Sequence, residues 1–160
     1  KVQILFFGKK SVSIFLDNIT LGPYNKQFKP NRTLKDWISS DNDNVDNYVE
    51  DPLCGFPVTN GLWDDLANGL LEVFKKEKYP KSNNSTSIFI ISGSDDPVGE
   101  NGKGVYRLNT FLSSIYSKTS IKIEEGARHE VFSESSKENS YNSLIKFITR
   151  IWKNYLLFVY

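Results

Sequence analysis

Residues 85–98, Ser-Thr-Ser-Ile-Phe-Ile-Ile-Ser-Gly-Ser-Asp-Asp-Pro-Val, constrain the fold more than any other stretch of this chain. Ser87 to Ile91 is a short, continuous apolar run rich in β-branched side chains, which predicts a strand buried on both faces. The run stops abruptly at Ser92-Gly93-Ser94-Asp95-Asp96-Pro97. The chain therefore leaves a buried sheet and at once presents carboxylates at the strand's C-terminal end, the edge where open α/β sheets carry ligands and chemistry. Pro97 biases Asp96 away from helical backbone and fixes the exit direction. An ordinary acidic turn would account for the same residues. What favours chemistry lies downstream. Ser120-Ile121-Lys122-Ile123-Glu124 reads as a second strand, and it ends in Glu125-Gly126-Ala127-Arg128-His129-Glu130, which holds the only histidine in the chain.

Two loops, each closing a strand and each with a titratable residue three positions after a glycine, resemble the C-terminal half of α/β-hydrolases of the monoacylglycerol lipase and lysophospholipase type, often described as serine aminopeptidase-like. In that family the acid of a Ser-His-Asp triad sits in a Gly-x-x-Asp turn after the penultimate strand. Gly93-Ser94-Asp95-Asp96 matches it and implies Asp96 as the acid. The histidine follows the last strand in a Gly-x-x-His loop, matched by Gly126-Ala127-Arg128-His129. Upstream, "LGPYNKQFKPNRTLKDWISSD" and "VDNYVEDPLCGFPVTNGLWDDL" look like the cap segment of bacterial members. The resemblance implies a partial α/β-hydrolase fold: a helical cap segment over residues 1–60, then the last two parallel strands and their helices over residues 61–160.

One departure stands out. The family's nucleophile is the serine of Gly-x-Ser-x-Gly on a strand-to-helix elbow, ahead of the acid and the histidine. No serine of this sequence lies in that pattern, and the His-Gly type of oxyanion loop is absent as well. The expectation is a serine ester hydrolase in kind, present here as a fragment with acid and histidine but no nucleophile. A non-catalytic binding module derived from the same fold is the alternative. The resemblance implies a lipid-like ester as substrate, with the aromatics Phe15, Tyr24, Phe28 and Trp37 of the cap as one wall of an acyl pocket; the same aromatics suit a plain core equally well.

Composition narrows the classes further. A net charge of +1 gives no electrostatic case for nucleic acid. The single cysteine excludes an internal disulfide framework and is compatible with a reducing compartment, so the expected location is cytoplasmic. No apolar run approaches the roughly 20 residues needed to span a bilayer. The first ten residues lack a small-residue cleavage site.

Other chemistry-bearing residues have weaker cases. Asp41-Asn42-Asp43 reads as a capped helix start ahead of Val45, Tyr48 and Val49, without the ordered loop or distal glutamate of a calcium site. Cys54 with His129 would suit a cysteine nucleophile, but its neighbours Leu53, Gly55 and Phe56 suit a small buried side chain. Residues 99–104 read Gly-x-x-Gly-x-Gly, not the Gly-x-Gly-x-x-Gly dinucleotide fingerprint, and predict a flexible lead into a helix. Neither metal nor cofactor is expected. Asp95 competes with Asp96 for the acid's place, and Arg128 and Glu130 are ion-pair candidates beside the histidine.

Helical periodicity places an element over Ser11 to Leu21, stopped by Gly22-Pro23. Residues 25–36 read as a loop anchored by Phe28 and Leu34, followed by inward-facing Trp37 and Ile38. Gly61 to Lys76 repeats Leu62, Leu66, Leu70 and Phe74 at spacing four. Gly104 to Lys118 buries Val105, Leu108, Leu112 and Ile115. Glu134 to Tyr160 is a long amphipathic helix with Leu144, Phe147, Ile148, Ile151 and Trp152 inward. Its apolar end either packs on the core or meets a membrane surface or partner. In the resembled family the strand preceding the cap pairs with the one at Ser87–Ile91. The resemblance covers no such strand here, which implies an edge with no charge, proline or bulge to guard it and hence self-association or a complementing chain.

Overall fold

The computed structural model describes residues 1–79 and 85–156. The apolar run forms β1, Ser87–Gly93, and its partner is β2, Lys118–Glu124. The two strands are parallel, in a register that sets Ile90 opposite Ile121 and Gly93 opposite Glu124. Among the described residues the sheet has these two strands. Parallel neighbours need a crossover, and α5, Lys103–Ser113, supplies it. It packs against both strands, as does α6, Lys137–Leu156, whose Phe147 ring stacks on Phe89 with centroids 5.0 Å apart.

β1 differs from a strand buried on both faces. Its side chains are half-buried from Ser87 to Ser92, and only Gly93 is fully covered. A continuous apolar run records that a strand avoids water; it does not supply the layers that would cover it.

Ahead of the sheet lie α1 (Val2–Phe7), α2 (Ile14–Thr20), α3 (Asn42–Glu50) and α4 (Asn60–Val73). Three of the four begin with a side-chain cap: Ser13 accepts from the Leu16 amide, Asp41 from those of Asp43 and Asn44, and Thr59 from that of Leu62. α2 ends at Thr20, ahead of Gly22-Pro23 as expected, but the chain does not go straight into a loop. Pro23, with its φ already fixed, lies in the first turn of a 3-10 helix over Gly22–Phe28 that follows α2 after Leu21. Leu34 is no anchor, being 86% exposed, whereas Trp37, Ile38 and Val45 are buried as their positions suggest. α5 ends at Ser113, earlier than its periodicity predicts, and β2 begins earlier, at Lys118.

On α6 the inward face is narrower than expected. Ile148 and Trp152 are exposed, while Leu144, Phe147 and Ile151 are partly covered. Residues 157–160 of the apolar C-terminal run lie outside the described residues. Among the described residues no helix is long and apolar enough to cross a membrane, and no group of three His, Cys, Asp or Glu side chains is arranged to hold a metal ion.

Candidate active site

The two strands end side by side, and backbone contacts knit their loops together. Ser94 donates its amide to the Glu124 carbonyl (2.9 Å), and Asp95 donates to the Ala127 carbonyl (2.9 Å). The Ser94 hydroxyl accepts from the Gly126 amide at 2.8 Å. Gly126 has φ +72°, a conformation that a side chain would strain. Gly93 is needed for a different reason. A Cβ there would lie 2.0 Å from the Ala127 carbonyl oxygen and 2.2 Å from that of Arg128. Only glycine lets the acid-bearing loop approach the histidine-bearing loop this closely.

The approach brings together two side chains that are 33 positions apart. The Asp96 carboxylate lies 3.2 and 3.3 Å from His129 Nδ1. A carboxylate can only accept, so Nδ1 carries the proton and donates it. Asp96 is 6% exposed, and its Oδ1 also accepts the Val98 amide at 2.9 Å. Its own carbonyl accepts the Asn101 amide at 2.8 Å. The glycine-rich stretch is therefore a bonded turn, with Glu100, Asn101 and Gly102 at positive φ, rather than a slack lead into α5.

The hydrogen bond and charge of Asp96 hold His129 above the usual imidazole range, against partial burial and with Glu130 acting in the same direction. The Trp37 ring lies 5.1 Å from the imidazole and tilted to it. Trp37 is in turn fixed by Tyr24 (5.4 Å) and by Asn25, whose side-chain carbonyl accepts the Trp37 amide at 3.0 Å. With Nδ1 engaged by Asp96, Nε2 is the nitrogen left for chemistry. His129 lines a cleft of about 720 Å³ whose walls include Leu21, Tyr24, Trp37, Phe56, Leu62, Trp63 and Leu66. Phe15 is exposed, and Phe28 sits under the Arg128 guanidinium, 4.0 Å from ring centroid to Cζ.

A parallel pair of strands, each ending in a loop that delivers one member of an Asp–His pair, points to a specific lineage. The family "Serine aminopeptidase, S33" matches residues 7–136. The chain belongs to this family of α/β-hydrolases. Its fold is a partial α/β-hydrolase fold. A highly thermostable carboxyl esterase from Bacillus coagulans, solved in complex with glycerol, superposes with a TM-score of 0.80 at 26% identity, over 94% of this chain and 50% of that one. A lipase in an open form superposes with a TM-score of 0.80 at 20% identity, over 94% and 49%, and shows the fold alone. The chain thus spans about half the length of these two solved structures. Comparison with curated proteins gives no match.

Within this serine aminopeptidase-like frame the other singled-out side chains make no hydrogen bond to the imidazole among the described residues. Asp95 is exposed, and its carboxylate accepts from Ser94. Cys54 lines the same cleft, but burial, then the charge and hydrogen bond of Asp51, push its thiol up, away from the thiolate a nucleophile needs. Among the described residues neither Arg128 nor Glu130 forms the ion pair expected of it. Arg128 donates through its guanidinium to the carbonyls of Asp36 and Ser39. Glu130 accepts from the Asn44 amide group at 2.9 Å, and its own N–H donates to the Ile38 carbonyl at 2.8 Å. Sequence reasoning missed Glu134, which is fully buried. Its donors include Ser40, 94 positions away, so no local pattern signals it.

Proposed function

We propose that this chain carries the acid and general base of a serine ester hydrolase, with Asp96 as acid, His129 as base and a carboxylic ester as substrate. The observation that carries the reading is the 3.2 Å Asp96–His129 contact, with His129 lining a largely apolar cleft. Family membership and the likeness to an esterase support it. The nucleophile is a serine that this sequence does not contain in Gly-x-Ser-x-Gly form. His129 Nε2 takes the serine proton as the hydroxyl attacks the ester carbonyl, then returns it to the departing alcohol. Asp96 holds the Nδ1–H tautomer and stabilises the imidazolium that forms. Residues 1–60 act as the cap, and residues 61–160 as the C-terminal part of the hydrolase core. The apolar cleft between them suits an acyl chain, which favours lipid-like esters such as monoacylglycerols or lysophospholipids.

A non-catalytic binding module is the second reading, and the absence of the nucleophile motif favours it. One experiment separates them. The complete open reading frame that encodes this sequence is expressed, labelled with a fluorophosphonate probe and assayed on p-nitrophenyl esters of increasing acyl length. Hydrolysis is expected, with His129→Ala and Asp96→Asn each lowering kcat by ~10²–10⁴-fold. Turnover untouched by His129→Ala would remove His129 from catalysis. A protein that neither labels nor turns over, yet binds acyl chains, would establish the binding module.

A further inference from the structure

The histidine loop is held from behind by a side chain that takes no part in the proton transfer. Glu134 is 0% exposed. Among the described residues no lysine, arginine or histidine forms an ion pair with it. Its carboxylate is satisfied by N–H and O–H donors instead. Oε1 accepts the backbone amide of Arg128, the residue immediately before His129, at 2.7 Å. Both oxygens accept the Ser40 amide, at 3.1 and 2.9 Å, and Oε2 accepts the Ser40 hydroxyl at 2.5 Å. One buried carboxylate therefore ties the histidine loop to residues 36–40, the stretch that also supplies Trp37.

The same stretch is gripped at both sides of the histidine. The Arg128 guanidinium donates to the carbonyls of Asp36 and Ser39, and the Glu130 amide donates to that of Ile38. His129 thus sits on a loop whose backbone has little freedom to turn its imidazole away from Asp96. A buried carboxylate bonded by several donors is a stiff joint, because losing any one donor leaves a buried acceptor site unsatisfied.

We propose that Glu134 is a positioning residue for His129: it fixes the Arg128–His129 backbone against residues 36–40 and so keeps Nδ1 on the Asp96 carboxylate. The role rests on the reading of His129 as general base, but the test does not require activity. His129 is the only histidine in the sequence, so the imidazole resonances of the 160-residue chain are assigned without ambiguity. Titration followed by NMR gives its pKa, and the Nδ1 proton reports the Asp96 bond. In folded Glu134→Gln the pKa is expected to fall from its raised position toward the ordinary value near ~6.5. Its Nδ1 proton should exchange faster. Ser40→Ala removes a single donor and should move both in the same direction by less. Ser135→Ala, on the same loop but bonded to Asp41, should leave the titration as it is in the parent chain. A folded Glu134→Gln that titrates like the parent chain overturns the proposal. If Glu134→Gln does not fold, a Ser40→Ala titration unchanged from the parent overturns it, and a lowered one upholds it.

Discussion

At the scale of single residues, the Asp96–His129 contact sets opposite pH demands on folding and on catalysis. Asp96 stabilises the cationic imidazole, so the folded chain binds that proton more tightly than the unfolded chain does. This contribution to stability is complete below the unfolded value near ~6.5 and is lost as pH rises through the higher folded value. On the proposed role of His129 as general base, which requires a neutral imidazole, turnover should climb over the same window in which this stabilisation fades. Thermal midpoints of the chain and of Asp96→Asn, compared from about pH 5.5 to about pH 8, test the first half. The advantage of the parent chain is expected to shrink with pH, and a growing advantage would show that the contact does not favour the imidazolium. Asp96 and His129 were both legible in the sequence, because a glycine-led turn after a strand is a local signal. Leu34 and Arg128 were not. Leu34 is apolar yet points to water, and Arg128 seeks carbonyl oxygens and the Phe28 ring rather than a carboxylate. Arg128's partners lie far along the chain, and nothing next to Leu34 in sequence says that no other element covers it.

At the scale of elements, the critical junction is the one between the two strand ends. Gly93→Ala would drive a methyl group into two backbone carbonyls that cannot rotate away as a side-chain tip would. Overpacking of this kind typically costs about 1–3 kcal/mol, and contact with main chain puts this site at or above the top of that range. Equilibrium unfolding in urea measures the loss. A change below about 0.5 kcal/mol, the scale of a neutral surface substitution, would mean that the two loops can part without strain. The order and type of the later elements followed from periodicity and turn residues, but their ends did not. α5 stops at Ser113 and leaves Ser114 to Ser117 as a turn into β2, although the apolar pattern continues to Ile115. Gly22-Pro23 ends α2 as its residues predict, but a proline near a helix start also begins a turn, so the first residues of the expected loop over 25–36 lie in a 3-10 helix instead.

At the scale of the whole molecule, much apolar surface faces water. On α4, Leu62, Leu66, Leu70 and Leu71 are at least half exposed, and on α6 so are Ile145, Ile148 and Trp152. Among the described residues β1 pairs on one side with β2 and has no neighbour on the other. Periodicity identified these faces as apolar; it carries no information on what covers them. Contiguous bare surface of this kind is expected to drive self-association of the isolated chain and to bind an apolar dye. Sedimentation velocity at micromolar concentration, with a dye titration beside it, measures both. A compact monomer with no dye-accessible surface would show that the chain shields these faces itself. The contact between Asp96 and His129 lies wholly within one strand–helix–strand passage and its two exit loops. Such a passage is short in contour, and it can form early, before distant parts of a chain have met. Asp96 and His129 thus form a pre-assembled cassette, and on the proposed function its internal register is set independently of the serine it serves.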